Sequence, residues 1–250
     1  MKCITLDKRA PSWPFRGLVV GESGSGKTNF VMNVIMRSLY MDQLYVFAAD
    51  IEEHKYKTLE KWCALINKER MKKNKELQYD YEKNIRDGNK PEEPNYISKF
   101  NYMFSDSIDD IPDPESLEET KNEIQTMILI DDFVLAKHQE KFEEYYIRGR
   151  KKNASVIYLS QSLPFTPSVI KKNLSWIILF ATQSKSTIMG LSKSVSDRYT
   201  YNELIAIMDC VLEQPKGANL LIFDKTKPLD YQWRIGYDFD KVIPRELRYE

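Results

Sequence analysis

An eight-residue stretch near the N-terminus constrains the fold of this chain more than any other feature. Residues 21 to 28 fit the spacing G-x-x-x-x-G-K-[ST] without a mismatch. Glycines in such a stretch let backbone N–H groups turn inward around the oxygens of an anion. Lys27 has the length to reach the outer phosphates of a nucleotide, and the Thr28 hydroxyl suits a magnesium ion. We therefore predict a phosphate-binding loop formed by Gly21, Glu22, Ser23, Gly24, Ser25, Gly26, Lys27 and Thr28.

The segments beside this loop supply the strand and the helix that it requires. Residues 17–20 are a short apolar run typical of a buried parallel strand, and residues 29–39 carry apolar side chains at helical spacing. Further strands are predicted at 44–49, 100–104, 127–130, 155–159, 176–181 and 219–223, with helices between most of them, including 116–125, 139–146 and 201–212. This alternation predicts an α/β fold of the P-loop NTPase class, with a mostly parallel sheet flanked by helices.

Polar side chains follow two of the predicted core strands at the point where each strand ends. Residues 127–130 are followed directly by Asp131 and Asp132, and residues 155–159 lead to Gln161. Ligands of parallel α/β folds bind beyond the carboxyl ends of the strands. We expect Asp131 to hold magnesium, Asp132 to act as general base on an attacking water, and Gln161 to sense the terminal phosphate. The alternative is that these residues are ordinary polar groups at turns and strand ends.

Two arginines, Arg148 and Arg150, precede the strand that ends near Gln161. A guanidinium that reaches the active site of a neighbouring subunit stabilises the charge that develops on a transferring phosphate. A solvated basic loop is the equally weighted alternative for this segment.

The composition changes between residues 52 and 95, which are dense in Lys, Glu, Tyr and Asn. Through about residue 85 this segment predicts one or two charged helices, and the following glycine and prolines end them. We interpret 52–95 as an insertion within a single P-loop domain that spans 1–250. Its simplest interpretation is a solvated helical hairpin without chemistry, and contact with a capsid partner is the other.

Overall charge and cysteine content exclude several classes of protein. The net charge is +0, so a surface for DNA would have to be local; residues 184–198, with their lysines and arginine, are one candidate and equally a solvated helix face. Cys3, Cys63 and Cys210 are far apart and odd in number, which favours a reduced intracellular compartment and argues against a zinc site. We expect no signal peptide and no membrane span.

Together these motifs resemble a known family. The sequences WPFRGLVVGESGSGKT, MILIDDF and GRKKNASVIYLSQS, and the late element GANLLIF, are similar to those of the genome-packaging ATPases of poxviruses, other large DNA viruses and virophages, within the FtsK–HerA superfamily. The resemblance covers roughly residues 12–50 and 98–225. It implies a RecA/ASCE-like core, ATP and Mg²⁺ as cofactors, and a homo-hexameric ring that pumps double-stranded DNA without regard to sequence.

The resemblance also assigns roles to individual residues. By position, Lys27 and Thr28 bind phosphate and magnesium, Asp131 holds the metal, Asp132 activates water and Gln161 senses the γ-phosphate. Arg150 is the candidate for an arginine donated to a neighbouring subunit, and Arg148 is the reserve. A capsid or portal-vertex partner, and a location in host cytoplasmic viral factories and in the virion, follow from the same likeness.

Two other functions fit the same loop. A small nucleotide or nucleoside kinase would require a mobile, arginine-rich lid, of which the sequence has no convincing example. A non-enzymatic assembly protein regulated by ATP would not require Lys27 together with Asp131 and Asp132. The proposed packaging ATPase therefore accounts for more of the sequence than either alternative.

Overall fold

The computed structural model describes residues 11–117, 124–133, 139–182, 184–195, 200–214, 219–227, 233–235 and 241–242. The chain divides into two compact units. The larger unit combines Met1–Ile51 with Met103–Glu250, and the smaller unit is Glu52–Tyr102. The smaller unit thus interrupts the larger one in sequence.

The larger unit is built on a single sheet. Its strands are Arg16–Val20 (β1), Gln43–Ala48 (β2), Asn101–Ser105 (β3, of which 103–105 belong to this unit), Thr126–Asp131 (β4), Ala154–Ser160 (β5), Trp176–Phe180 (β6), Leu220–Asp224 (β7), Trp233–Ile235 (β8) and Lys241–Val242 (β9). Their order among the described residues is β3-β2-β4-β5-β1-β6-β7-β8-β9. Neighbours from β2 to β6 pair in parallel, and those from β6 to β9 are antiparallel.

The helices of the larger unit connect these strands. They are Lys27–Ser38 (α1), Glu140–Arg148 (α3), Ser168–Asn173 (α4), Lys185–Val195 (α5) and Tyr201–Leu212 (α6), with 3₁₀ turns at Ile108–Asp110, Pro114–Ser116 and Gly149–Lys152. The start of α6 is specified locally, because Thr200 and Glu203 form a capping box in which each side chain bonds the other residue's backbone N–H. Helices α1, α3 and α4 lie on connections between strands of the parallel part of the sheet, and α5 and α6 connect the antiparallel strands β6 and β7.

The central strands are buried along their whole length, which explains why their sequences are continuous apolar runs. Successive side chains still point to opposite faces of the sheet. Ile130 and Tyr158 are register partners on one face, and there they join Phe142 and Tyr146 of α3 in a hydrophobic core cluster. This cluster fixes the strands whose carboxyl ends carry the candidate site.

The smaller unit is a long helix with a return segment packed along it. The helix, His54–Arg86 (α2), has 33 residues. Asn67 bonds both backbone groups of Phe100, with Nδ2 donating to O at 3.0 Å and Oδ1 accepting from N at 2.8 Å. Asn74 does the same to Ile97, at 2.8 Å in each direction. Arg70 donates to Ser98 O at 2.9 Å, and its guanidinium lies over the Phe100 ring.

The α/β class and the mostly parallel sheet are confirmed, and the predicted strands agree with the structure to within about one residue at their ends. Of the one or two charged helices predicted in the insertion, the structure has one. The interpretation as a helical hairpin is wrong, because the chain returns without a second helix between residues 87 and 100. The helix expected at 116–125 falls mostly outside the described residues. Residue 116 closes a 3₁₀ turn, and residues 124–125 are not helical.

No helix in the part of the chain that the structure describes is long and apolar enough to cross a membrane.

Candidate nucleotide site

The predicted phosphate-binding loop connects β1 to α1 and turns sharply at its glycines. Gly24 and Gly26 have φ values of 76° and 93°, a region that residues with a Cβ rarely adopt. A Cβ added to Gly21 would lie 2.6 Å from Ser25 Oγ and 2.9 Å from Phe180 Cβ. The loop therefore needs glycine at one position for space and at two for backbone conformation.

The start of α1 gives this loop a positive character. The helix begins at Lys27, and its N-cap residue Gly26 provides no side-chain cap for the first turn. The N-terminal end of a helix attracts anions through its exposed N–H groups and its dipole. Ser25 Oγ is buried and has no hydrogen-bond partner among the described residues. A buried polar atom of this kind in a glycine-rich loop fits a site that binds phosphate oxygens.

Lys27 lies across the loop rather than in solvent. Its side chain is 8% exposed, and Nζ donates to the carbonyl oxygens of Gly21 at 2.7 Å and Glu22 at 2.9 Å. These two hydrogen bonds hold the ammonium group at the loop. A phosphate that bound there would replace the backbone carbonyls as the hydrogen-bond acceptor of Lys27.

The two predicted magnesium ligands, Thr28 and Asp131, contact each other directly. Thr28 Oγ1 donates to Asp131 Oδ2 at 2.9 Å, and Asp131 is the last residue of β4 with 7% of its surface exposed. The described residues contain no cluster of three or more His, Cys, Asp or Glu side chains that could hold a metal ion. One carboxylate and one hydroxyl suit Mg²⁺, which typically completes its shell with nucleotide phosphates and water. The donor set therefore fits a magnesium nucleotide.

Asp132 and Gln161 form the second pair. Gln161 Nε2 donates to Asp132 Oδ1 at 3.2 Å, and both side chains are exposed at the carboxyl edge of the sheet. Asp132 has φ 62°, in the left-handed region that Asp tolerates better than most residues. This turn directs Asp132 away from its neighbour Asp131, so that one acid meets Thr28 and the other meets Gln161.

Strand register explains why these residues converge. Asp131 is the register partner of Leu159 on β5, and Leu159 is the partner of Val19 on β1. The loop after β1, the acids at the end of β4 and the glutamine after β5 therefore lie at one level of the sheet. The structure brings together all the predicted site residues except the two arginines.

Sequence reasoning did not identify Tyr158, which lies under this edge in β5. Its ring stacks on Phe142 with a centroid distance of 5.3 Å, and its side chain is 0% exposed. Its hydroxyl has no hydrogen-bond partner among the described residues. Burial raises the pKa of Tyr158, and the negative charges of Asp132 and Asp131 raise it further. A neutral hydroxyl is thus held below the acid pair, and no periodic signal in the run SVIYL distinguishes it from an ordinary core aromatic.

Arg148 and Arg150 precede the amino end of β5, whereas the candidate site lies at the carboxyl ends of the strands. Arg148 ends α3 and lies 3.9 Å from Glu115 as an exposed ion pair, and Arg150 belongs to the 3₁₀ turn before β5. The length of β5 places them about 20 Å from Gln161, at roughly 3.3 Å per residue. Burial lowers the pKa of Arg16, and the nearby charge of Arg150 lowers it further. Neither Arg148 nor Arg150 belongs to the phosphate-binding loop of its own chain.

The sheet order and the loop between β1 and α1 define a protein with the P-loop NTPase fold. The family model of the poxvirus A32 protein matches residues 7–247, and the chain belongs to that family. The resemblance to viral genome-packaging ATPases that the motifs carry is therefore confirmed.

Two solved structures share this fold. The genome packaging NTPase B204 from Sulfolobus turreted icosahedral virus 2, in complex with ATP-gammaS, is 15% identical, with a TM-score of 0.55; the match covers 89% of this chain and 96% of that one. The DNA-packaging ATPase B204 from Sulfolobus Turreted Icosahedral Virus is 13% identical, with a TM-score of 0.51 and coverage of 90% and 98%. At such identities the likeness shows the fold. A comparison with curated proteins gives no match.

Proposed function

We propose that this chain is an ATP-driven translocase that packages double-stranded viral DNA into a capsid, hydrolysing Mg-ATP within a homo-hexameric ring. One observation carries the proposal. At a single edge of the sheet, Thr28 bonds Asp131 while Gln161 bonds Asp132, so that the loop helix and two strands contribute to one site. Membership of the poxvirus A32 family, and the description of B204 as a packaging NTPase solved with an ATP analogue, support the same conclusion.

In this proposal each side chain has a role that its position supports. The loop amides and Lys27 bind the phosphates of ATP, and Thr28 and Asp131 hold Mg²⁺. The metal ion, when bound, neutralises charge on the phosphate oxygens. Asp132 accepts a proton from the attacking water, and Gln161, which bonds the same carboxylate, orients that water toward the γ-phosphate. Water rather than a second substrate is the acceptor in this proposal, since a carboxylate and an amide at the ends of two strands bond each other where a water would be held and deprotonated.

Arg150 completes the site of an adjacent subunit in this proposal. Its position at the amino edge of the sheet, about 20 Å from Gln161 along β5, favours contact with another chain over contact with its own loop. An arginine that meets the γ-phosphate of a neighbour stabilises developing charge and couples hydrolysis to subunit contacts. Arg148, which pairs with Glu115, is the second candidate.

We also propose that residues 1–250 form one ATPase domain with 52–95 inserted into it, since the larger unit is continuous in structure and interrupted in sequence. The motor would act in viral factories of the host cytoplasm, and in the virion, against a capsid or portal-vertex protein.

The decisive experiment measures ATP hydrolysis with and without long duplex DNA, together with the native mass of the protein. We expect DNA to stimulate turnover and the mass to correspond to an oligomer. Lys27→Ala should abolish turnover under any enzymatic reading and serves as the background control. A monomeric protein whose turnover is the same with and without DNA would contradict the translocase proposal. Transfer of phosphate to a nucleoside would identify a kinase, and binding of ATP without turnover would identify an assembly protein regulated by ATP.

A further inference from the structure

One face of α2 is lined by basic side chains along most of its length. Successive members are three or four residues apart, except for a seven-residue step that Leu65 divides and an eight-residue step that Tyr79 divides. This spacing returns to the same side of an α-helix. All the members are exposed. We name this surface the basic stripe, and it consists of Lys61, Lys68, Lys72, Lys75, Lys83 and Arg86.

The stripe lies opposite the face by which α2 packs on its return segment. Asn67, Arg70 and Asn74 bond the backbone of that segment, and Leu59 and Cys63 are buried. At about 100° per residue, the stripe covers an arc of roughly 80° centred on the other side of the helix. The contacts inside the smaller unit therefore fix the orientation of the basic side chains without using them.

Acidic side chains lie outside this arc, and Glu76 and Glu82 border it, each about 20° beyond one end. Between Lys61 and Arg86 no Asp or Glu falls within it, and Leu65 and Tyr79 are the uncharged members. Glu76, beside the arc, makes the one ion pair that the described residues give the stripe, with Lys72 at 3.8 Å between exposed groups. Exposed pairs of this kind contribute little and exchange readily. A chain with a net charge of +0 thus concentrates positive charge on one line.

We propose that the basic stripe binds the phosphate backbone of duplex DNA outside the nucleotide site. This inference rests on the proposed translocase function, because it assigns a second contact to the same substrate. The stripe spans about 37 Å at roughly 1.5 Å per residue, close to the approximately 34 Å of one duplex turn. DNA presents a continuous line of charge, about one per 1.7 Å of helix axis, which matches a line of cations better than a protein surface of mixed charge does.

Single-stranded nucleic acid is a poorer match. Proteins that bind single strands stack successive bases on repeated aromatic side chains. The stripe has one aromatic side chain, Tyr79, which is 61% exposed. Its chemistry is that of a surface that reads phosphate charge and not base identity.

The test compares two triple variants of the full-length protein that remove equal charge from the same unit. The stripe variant is Lys68→Gln, Lys72→Gln and Lys75→Gln. The control variant is Lys73→Gln, Lys90→Gln and Lys99→Gln, at exposed positions outside the stripe. A duplex of about three helical turns with a fluorescent label reports affinity by anisotropy across a salt titration. A third variant, with arginine at the three stripe positions, keeps the charge.

We expect the stripe variant to bind duplex at least about tenfold more weakly than the parent, with the slope of log affinity against log salt reduced by roughly 2 to 3. The control and arginine variants should match the parent, and hydrolysis without DNA should be unchanged in all of them. If the stripe variant binds duplex like the control, the inference is overturned.

Two further measurements separate duplex DNA from other occupants. Polyglutamate of equal charge should compete poorly with the labelled duplex; equal competition would overturn the assignment in favour of an acidic protein partner. The native mass of the stripe variant should equal that of the parent, and a smaller assembly would instead indicate a contact between copies of the chain. If the parent protein neither binds DNA nor is stimulated by it, the translocase proposal fails. If DNA stimulates turnover by the parent but the stripe variant binds duplex as tightly as the parent does, only this inference is contradicted.

Discussion

Asp132, directly after β4, is the residue at which backbone conformation and side-chain contact bear most on the candidate site. It adopts a left-handed backbone conformation, and its carboxylate accepts a hydrogen bond from Gln161. Residues held in sparsely populated conformations cluster at functional sites because the surrounding structure must maintain them. The consequence at this position is that two adjacent carboxylates serve different partners.

Asp132→Asn tests the proposed base while preserving the shape of the site. The amide oxygen still accepts from Gln161, but it no longer takes a proton from water. We expect turnover to fall by about 10² to 10⁴-fold, with ATP affinity unchanged. Asp131→Asn is the matched control, and it should weaken binding of the magnesium nucleotide as well. A substantial loss of ATP affinity in Asp132→Asn would show that Asp132 is a ligand of the nucleotide or its metal.

The hydroxyl of Tyr158 predicts an unusual response to mutation. A buried hydroxyl without a partner costs free energy in the folded state, so Tyr158→Phe should raise the free energy of unfolding by about 1 kcal/mol. Tyr146→Phe removes an equally buried hydroxyl that does donate, to Gly17 O at 2.5 Å, and should lower it by a similar amount. Urea unfolding measures both variants. Destabilisation by Tyr158→Phe would show that this hydroxyl has a partner.

At the scale of elements, the loop between β1 and α1 distinguishes two uses of glycine. Gly21→Ala should nearly abolish ATP binding, because its Cβ would meet both Ser25 and Phe180 and push the loop open. Gly24 has φ 76° but no atom within 4 Å of an added Cβ. Gly24→Ala should therefore cost only about 1 kcal/mol of backbone strain. Titration with a fluorescent ATP analogue measures the affinity of both variants. Equal losses of affinity would show that steric overlap at Gly21 does not determine ATP binding.

The elements also show what sequence patterns can and cannot predict. The strand that ends in Asp131 and the one that ends in Ser160 were predictable, because runs buried on both faces are continuously apolar. Thr200 and Glu203 carry a capping signature at the start of α6. The contacts of Asn67 with Phe100 join residues 33 apart through side chain and backbone, and such contacts leave no periodic signal. The short strands Trp233–Ile235 and Lys241–Val242 have too few residues to show a pattern.

The candidate site was predictable for a similar reason. Parallel strands place their carboxyl ends at one edge, so motifs after separate strands converge whatever the sequence between them. Adjacent strand residues point to opposite sides, so the sequence predicts different partners for the two acids. Asp131 contacts Thr28, and Asp132 contacts Gln161. The left-handed backbone at Asp132 leaves no signal in the sequence. The partner of Arg150 is likewise set by assembly and not by the chain alone.

At the scale of the whole molecule, the proposed ring predicts complementation between two inactive variants. Arg150→Ala should bind ATP but lose turnover, and Asp132→Asn should do the same. Mixed in equal amounts under conditions that exchange subunits, they form intact sites at roughly a quarter of the interfaces of a cyclic ring. Turnover should then recover to a comparable fraction of the parent's. The double variant, which carries both changes in one chain, should not rescue Arg150→Ala, and a mixture as inactive as that control would contradict a shared site.

The interrupted larger unit also bears on how the chain folds during synthesis. β1 pairs with β5 and β6, which are synthesised much later. Arg16 can pair with Val156, and Gly17 with Trp176, only after those residues have been synthesised, so the middle of the sheet forms late. The smaller unit needs only the local return of Phe100 to Asn67. Contacts distant in sequence form slowly, and chains generally fold unit by unit from the N-terminus as they emerge. The phosphate-binding loop therefore emerges from the ribosome before its partner strands exist. The smaller unit, which follows the loop in sequence, can fold while the rest of the larger unit is still being synthesised.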